Sequence, residues 1–316
     1  MFYIEICGGL GNQLFQLFSA HALAKTHNKN TVTLKLDSSP SVFQNRVVYW
    51  DTFFSKVPTV SQKPTVQYVH NDLDPIHGFL DIVFPTEFKD KDNTIKEPTI
   101  ELKGYYQHRR HFWRWKDELI QTLLNSKETW KHWAPLNKYL NGCEQQNNIA
   151  FLHIRRGDYK RLQHCHVVLP LAYYENAVQH FHASTKFLVF CEMEDFESIK
   201  KEMEQSTTLK HRVILNSDMI AQTPDYQQMV LMSSCTRGGI LANSTFSVWS
   251  AYLHQDKTGT FTYPDRFFAH SPQSPHIFDS TWIQVSCEPH SSKAFTMSME
   301  RQERFHRYLR KVGLLL

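Results

Sequence analysis

Apolar residues open the chain as FYIEIC (2–7), and a glycine-rich turn follows. From about Asn12 to Thr26, Leu14, Leu17, Phe18, His21, Ala22 and Ala24 trace one face at helical spacing. TVTLKLD (31–37) then alternates and is rich in β-branched residues. Strand, glycine turn, helix, strand is a βαβ unit and predicts a parallel sheet. From about 40 to 110 the pattern dissolves into short proline- and aromatic-rich pieces with no period, and a helix is expected over about 110–133. The polar run NGCEQQNN (141–148) marks a domain boundary.

Beyond it, IAFLHI (149–154), KFLVF (186–190), HRVIL (211–215) and GGILA (238–242) read as short buried strands. Helical stretches near 170–183, 195–205, 224–235 and 244–255 separate or follow them. Thr223 before Pro224 is a helix start, an oxygen cap followed by a proline at the first helical position. The alternation predicts an α/β chain of two Rossmann-like domains facing a cleft: residues 1–145, residues 146–290, then a basic helix over 291–316. On that helix Phe295, Met299, Phe305, Leu309 and Val312 line one side, with Arg301, Arg304, Arg307, Arg310 and Lys311 around them. Its apolar stripe is expected to dock on a domain; weak contact with an anionic membrane surface is the second reading.

A length of 316 residues suits two domains, and 41% hydrophobic with 21% charged residues excludes a disordered or fibrous chain. The 35 Lys and Arg barely exceed the 31 Asp and Glu, so no nucleic-acid partner is expected, although a local basic cleft stays open. No run of about 18 apolar residues exists, and MFYIEICGGLGNQ lacks the basic start of a secretory signal. A cytoplasmic protein is expected, with its six scattered cysteines reduced.

Three places suit chemistry. GGLGNQ (8–13) lies at a strand-to-helix junction, where glycine permits a tight turn and the helix start offers N–H groups to an anion. As a dinucleotide fingerprint, Gly9 and Gly11 supply two glycines, Leu14 stands where the third belongs, and Asp37 ends the next strand where a ribose-binding acid would sit. A nicotinamide-binding domain and a purely structural turn both stay open, but the structural turn leaves the amides of Asn12 and Gln13 unexplained. HIRRGDY (153–159) follows a strand directly. Adjacent guanidinium groups repel, yet Arg155 and Arg156 are worth clustering where a diphosphate is held, with Asp158 orienting one of them. In LANSTFSVW (241–249), Asn243 or Ser244 caps a helix whose start, with the next hydroxyls, makes a phosphate seat. Both anion-suited loops end predicted strands, as for a nucleotide diphosphate lying across a switch point.

Weaker signals remain. Asp72-Leu73-Asp74 has the spacing of a metal–nucleotide motif without the apolar strand before it. His164-Cys165-His166 lacks a second ligand pair for zinc, and no metal is expected. His108, Arg109, Arg110 and His111 read as a solvated basic cluster, with contact to an acceptor or a phosphate as the second reading.

GGLGNQLFQ, HIRRGDY and ILANSTFSVWSAYL, in that order from residue 8 to about 253, resemble the conserved blocks of the α-1,2-fucosyltransferases, microbial relatives of the H-antigen enzymes. The resemblance implies a glycosyltransferase B-type fold, GDP-fucose bound mainly by the C-terminal domain, inversion at the anomeric centre, and neither metal nor cofactor. It implies Arg155 on the donor's β-phosphate, Asp158 and Arg156 supporting that loop, and His153 near the guanosine. Ser244, Thr245 and Phe246 then line the pyrophosphate, and Asn12 and Gln13 face the reacting sugar. Gln228 stands where relatives carry a carboxylate for guanine, Cys191-Glu192 replaces a Ser-Asp pair, and Val248-Trp249 replaces a double Trp. Neither spacing nor resemblance assigns a general base. The expected reaction moves fucose from GDP-fucose to a glycan hydroxyl, the 2-OH of a terminal β-galactoside. The alternatives are a nicotinamide-dependent oxidoreductase and an inactive nucleotide-sugar- or glycan-binding protein.

Overall fold

Uncharged runs with β-branched and aromatic residues become buried parallel strands here, and the helices between them supply the cover such sheets need on both faces. The computed structural model describes residues 1–35, 47–72, 84–125, 127–133, 135–140, 147–254, 258–269 and 276–287. The expected basic helix over 291–316, Asp37, Asp74 and Cys143 lie outside the described residues. The chain divides into two compact units, Met1–Lys127 and a second beginning at Glu128.

Unit 1 contains β1 (Phe2–Ile4), α1 (Leu10–Thr26), β2 (Thr31–Leu34), β3 (Thr59–Val60), β4 (Tyr68–Asn71), β5 (Phe88–Lys89), β6 (Ile95–Lys96), β7 (Ile100–Lys103) and α2 (Lys116–Leu123). Its main sheet has the order β3-β2-β1-β7-β4 and is parallel throughout; β5 and β6 form a separate antiparallel pair. The single apolar face expected for α1 is corrected, because the helix is buried nearly all round. Its polar residues Gln16 and Ser19 are buried because they fasten loops. Gln16 accepts from the Cys7 amide at 2.9 Å and donates to the Gly104 carbonyl at 3.0 Å, and Ser19 donates to the Tyr106 carbonyl at 3.4 Å.

At the division lies α3 (Lys127–Trp133), so the helix expected over 110–133 is two helices preceded by short 3-10 turns. Unit 2 continues with β8 (Ile149–His153), α4 (Leu171–Ala177), β9 (Lys186–Phe190), α5 (Phe196–Gln205), β10 (Val213–Ile214), α6 (Ser217–Gln222), α7 (Asp225–Ser233), β11 (Gly238–Ile240), α8 (Thr245–Leu253), β12 (Thr260–Pro264) and β13 (Ile283–Val285). The described strands form one parallel sheet of order β10-β9-β8-β11-β12-β13. Strand order runs outward from β8 through β9 to β10, then restarts on the other side at β11. That reversal puts the loops after β8 and β11 side by side. Close pairing there needs glycine: a Cβ on Gly238 (φ +83) would come 2.2 Å from the Thr260 carbonyl oxygen, and one on Gly239 2.3 Å from the Phe151 ring.

Candidate functional site

Two contacts join the loops at the reversal. The Tyr159 hydroxyl donates to the Asn243 carbonyl at 3.1 Å, and the His153 and Phe246 rings lie 5.5 Å apart. Arg155, two residues beyond β8, holds its guanidinium 5.2 Å from the centre of the Tyr159 ring. His166 stacks on that ring at 4.1 Å. One tyrosine therefore carries Arg155 on its ring and grips the neighbouring loop with its hydroxyl.

Carboxylates from distant segments fix the β8 loop. Arg155 donates from Nη1 to Glu192 and from Nη2 to Asp158, the latter at 2.5 Å. Glu192 also accepts from the Arg156 amide at 3.3 Å. Asp195 accepts from the Gly157 amide at 2.8 Å and from the Lys160 ammonium. Arg156 turns its fork onto Glu202 of α5, at 2.7 and 2.5 Å. The expectation that paired guanidinium groups converge on one pyrophosphate is therefore corrected. A planar guanidinium matches a carboxylate in two parallel bonds, and Arg156 is held that way. Arg155 has two of its five N–H groups on carboxylates and keeps donors for a further anion. Glu192, Asp195 and Glu202 were not expected at the site. Only Glu192 left a trace in the sequence, as a departure from the family pattern.

His153 is 6% exposed and its Nδ1 has no hydrogen-bond partner. Burial first, and the nearby Arg155 charge second, hold its pKa down to about 3, so the ring is neutral. Ser244 caps α8, its Oγ accepting from the Phe246 amide at 3.3 Å. Thr245 and Phe246 are partly exposed in the first turn, where helix N–H groups lack intrahelical acceptors. Asn243, expected to bind ligand, is fully buried, and its Nδ2 donates to the carbonyls of Val167 at 2.8 Å and Phe267 at 3.0 Å. It is a pin between three segments rather than a contact, because its two N–H groups serve carbonyls outside any strand ladder. Gln228 donates from Nε2 to the carbonyls of Thr223 at 2.9 Å and Ile220 at 3.3 Å. A carboxylate there would face two carbonyl oxygens, which gives the amide at this position a local cause.

In unit 1 the left-handed residue of the glycine turn is Gly8 (φ +78). A Cβ on Gly9 would meet nothing within 4 Å, and Gly11 is buried inside α1. Gln13 is fully buried and donates from Nε2 to the carbonyls of Gly8 at 2.9 Å and Val47 at 3.2 Å. The outward-facing amide expected of Gln13 is corrected: it seals the turn. Asn12 accepts from Gln107 Nε2 at 2.8 Å, tying the start of α1 to the loop after β7.

Asp72 accepts from the Tyr106 amide at 2.5 Å, and burial raises its pKa. His108 and His111 are buried, which corrects the solvated-cluster expectation for those two. His108 Nδ1 accepts from the Arg110 amide, and His111 Nδ1 lies 3.1 Å from the Tyr106 carbonyl. Among the described residues, no cluster of His, Cys, Asp and Glu could hold a metal, Cys7, Cys165, Cys191, Cys235 and Cys287 are free thiols, and no helix is long and apolar enough to cross a membrane.

Residues 86–286 match the family model described as glycosyl transferase family 11. The chain is 25% identical over 308 residues to the O-antigen biosynthesis glycosyltransferase WbnK of Escherichia coli, spanning 90% of this chain and 100% of that protein. It is 25% identical over 306 residues to the alpha-1,2-colitosyltransferase of Escherichia coli, spanning 89% and 97%. Among solved structures, the fucosyltransferase NodZ from Bradyrhizobium covers 79% of this chain and 92% of its own, with a TM-score of 0.46 at 13% identity. The family match replaces the oxidoreductase reading of the first βαβ unit.

Proposed function

This chain belongs to glycosyl transferase family 11, and from that membership we propose that it moves fucose from GDP-fucose to the 2-OH of a terminal β-galactoside, inverting the anomeric centre without a metal. The observation that supports a nucleotide-diphosphate donor is the joined pair of loops at the strand-order reversal, where Arg155 and the start of α8 meet through Tyr159 at the carboxyl ends of two central strands. As the acceptor oxygen bonds to the anomeric carbon and releases its hydroxyl proton to the surrounding water, the bond from that carbon to the β-phosphate oxygen breaks and its electron pair leaves with GDP. Negative charge grows on the β-phosphate, so a fixed cation there stabilises the transition state more than the ground state. Arg155 fills that role, with Asp158 and Glu192 holding it in place. In this reading Ser244, Thr245 and Phe246 take the pyrophosphate and neutral His153 is assigned to the base.

The test is incubation with GDP-fucose and a panel of β-galactosides, with and without EDTA, followed by linkage analysis. An α-1,2-linked fucoside formed equally in both is the expected product. GDP-colitose belongs on the donor panel because a relative is named a colitosyltransferase; preference for that donor would replace fucose in this reading. Tight GDP binding without transfer to any acceptor would overturn the transferase reading in favour of a binding protein.

A further inference from the structure

Residues 109–116, at the edge of unit 1, divide sharply between what they bury and what they show. His111 and Phe112 are buried, Phe112 standing edge-on to Phe15 and Phe18 of α1 at 5.7 and 5.8 Å. Arg110, Trp113 and Arg114 face solvent. Trp113 is 37% exposed, an unusual position for so large an apolar side chain. Cations crowd both indoles. Arg109 and Lys116 lie 4.9 and 5.0 Å from the Trp113 ring, and Arg114 and Lys25 lie 5.0 and 5.1 Å from the Trp115 ring. Such contacts occur roughly once per 70–80 residues, so four around two neighbouring indoles are a concentration. Trp115 donates from Nε1 to the Thr26 hydroxyl at 3.3 Å, so the end of α1 belongs to the same surface. Among the described residues, Glu118 meets Lys25 at 2.5 Å and Asp117 meets Lys116 at 3.2 Å on this strip.

We propose that this strip docks on an anionic phospholipid membrane. Indoles settle at the headgroup level because one end is apolar and the other polar, and cations beside them meet lipid phosphates. A free anion would account for the cations but not for the exposed indole between them. A sugar stacked on Trp113 would meet a ring that already carries two cations. The buried Phe112 below holds the strip in shape, so docking needs little reordering.

Vesicle flotation with the full chain tests this, comparing phosphatidylcholine vesicles with vesicles one-third phosphatidylglycerol. Binding is expected to the mixed vesicles and not to the neutral ones. Arg110→Gln with Arg114→Gln should weaken partition about twenty-five-fold, at about fivefold per cation. Trp113→Ser should weaken it several-fold with every charge kept. Lys200→Gln with Lys201→Gln removes the same charge from α5 and should change partition less than twofold. Equal losses in the two double variants would reduce the effect to net charge and overturn the proposal. So would full binding by the Arg110 and Arg114 variant, which would place the contact elsewhere, or failure to bind mixed vesicles at all.

Discussion

Arg155 is held by two carboxylates and an aromatic ring before any ligand arrives, so its position is set by the protein. On the proposed role of Arg155, Arg155→Ala should lower turnover by about 10²–10³, the scale of losing one transition-state donor, as read from initial rates of glycosyl transfer. Arg155→Lys should recover little, since one ammonium cannot serve Glu192, Asp158 and a phosphate in the same plane. Asn243 acts on stability instead. Asn243→Ala leaves the Val167 and Phe267 carbonyls without their donor and should cost about 2–4 kcal/mol in urea unfolding. Arg155, Asp158 and Ser244 were legible as site candidates because each sits in a short segment with a local signature, a strand end or a helix start. Glu192 and Glu202 were not, because their partners lie 37 and 46 positions away and no spacing rule links them.

Elements were legible where burial was complete. IAFLHI, KFLVF and GGILA became β8, β9 and β11, and the helix from about 195 to 205 is α5 almost residue for residue. The stretch from 40 to 110 hid β3 to β7, and the two longest of these, β4 and β7, escaped notice for separate reasons. β4 is mostly exposed and shows no alternation, and β7 carries a buried Glu101 whose charge Lys63 meets at 2.6 Å. A buried carboxylate reads as a loop until its cation is known. Glycine placement gives the sharper test of element geometry. Gly238→Ala forces both an unfavourable φ and a backbone clash, so Tm should fall by many degrees in differential scanning fluorimetry. Gly9→Ala, on ordinary backbone with open space around it, should leave Tm within about a degree or two.

At the scale of the whole chain, each of the two units is built on a parallel sheet with helices between its strands, as the alternation of strands and helices predicts. Each unit buries a neutral histidine. Burial holds His111 down to about 4, against the pull of the Tyr106 carbonyl, and His153 to about 3, whereas an unfolded histidine titrates near 6.5. Below pH 6.5 the unfolded chain therefore takes up protons that these rings refuse, and stability falls until the folded values are reached. Each ring contributes about 1.4 kcal/mol per pH unit across that window. His111→Gln should flatten the acid limb of unit 1 unfolding by that amount, measured as urea midpoints over a pH series. The reversal of strand order also governs how the protein is made. β9 follows β8 closely along the chain, whereas β11, the partner on its other side, begins only at Gly238. Until the ribosome has delivered that segment, a sticky apolar edge stands open on the nascent chain, and the interval is one in which chaperones rather than the fold itself must guard it.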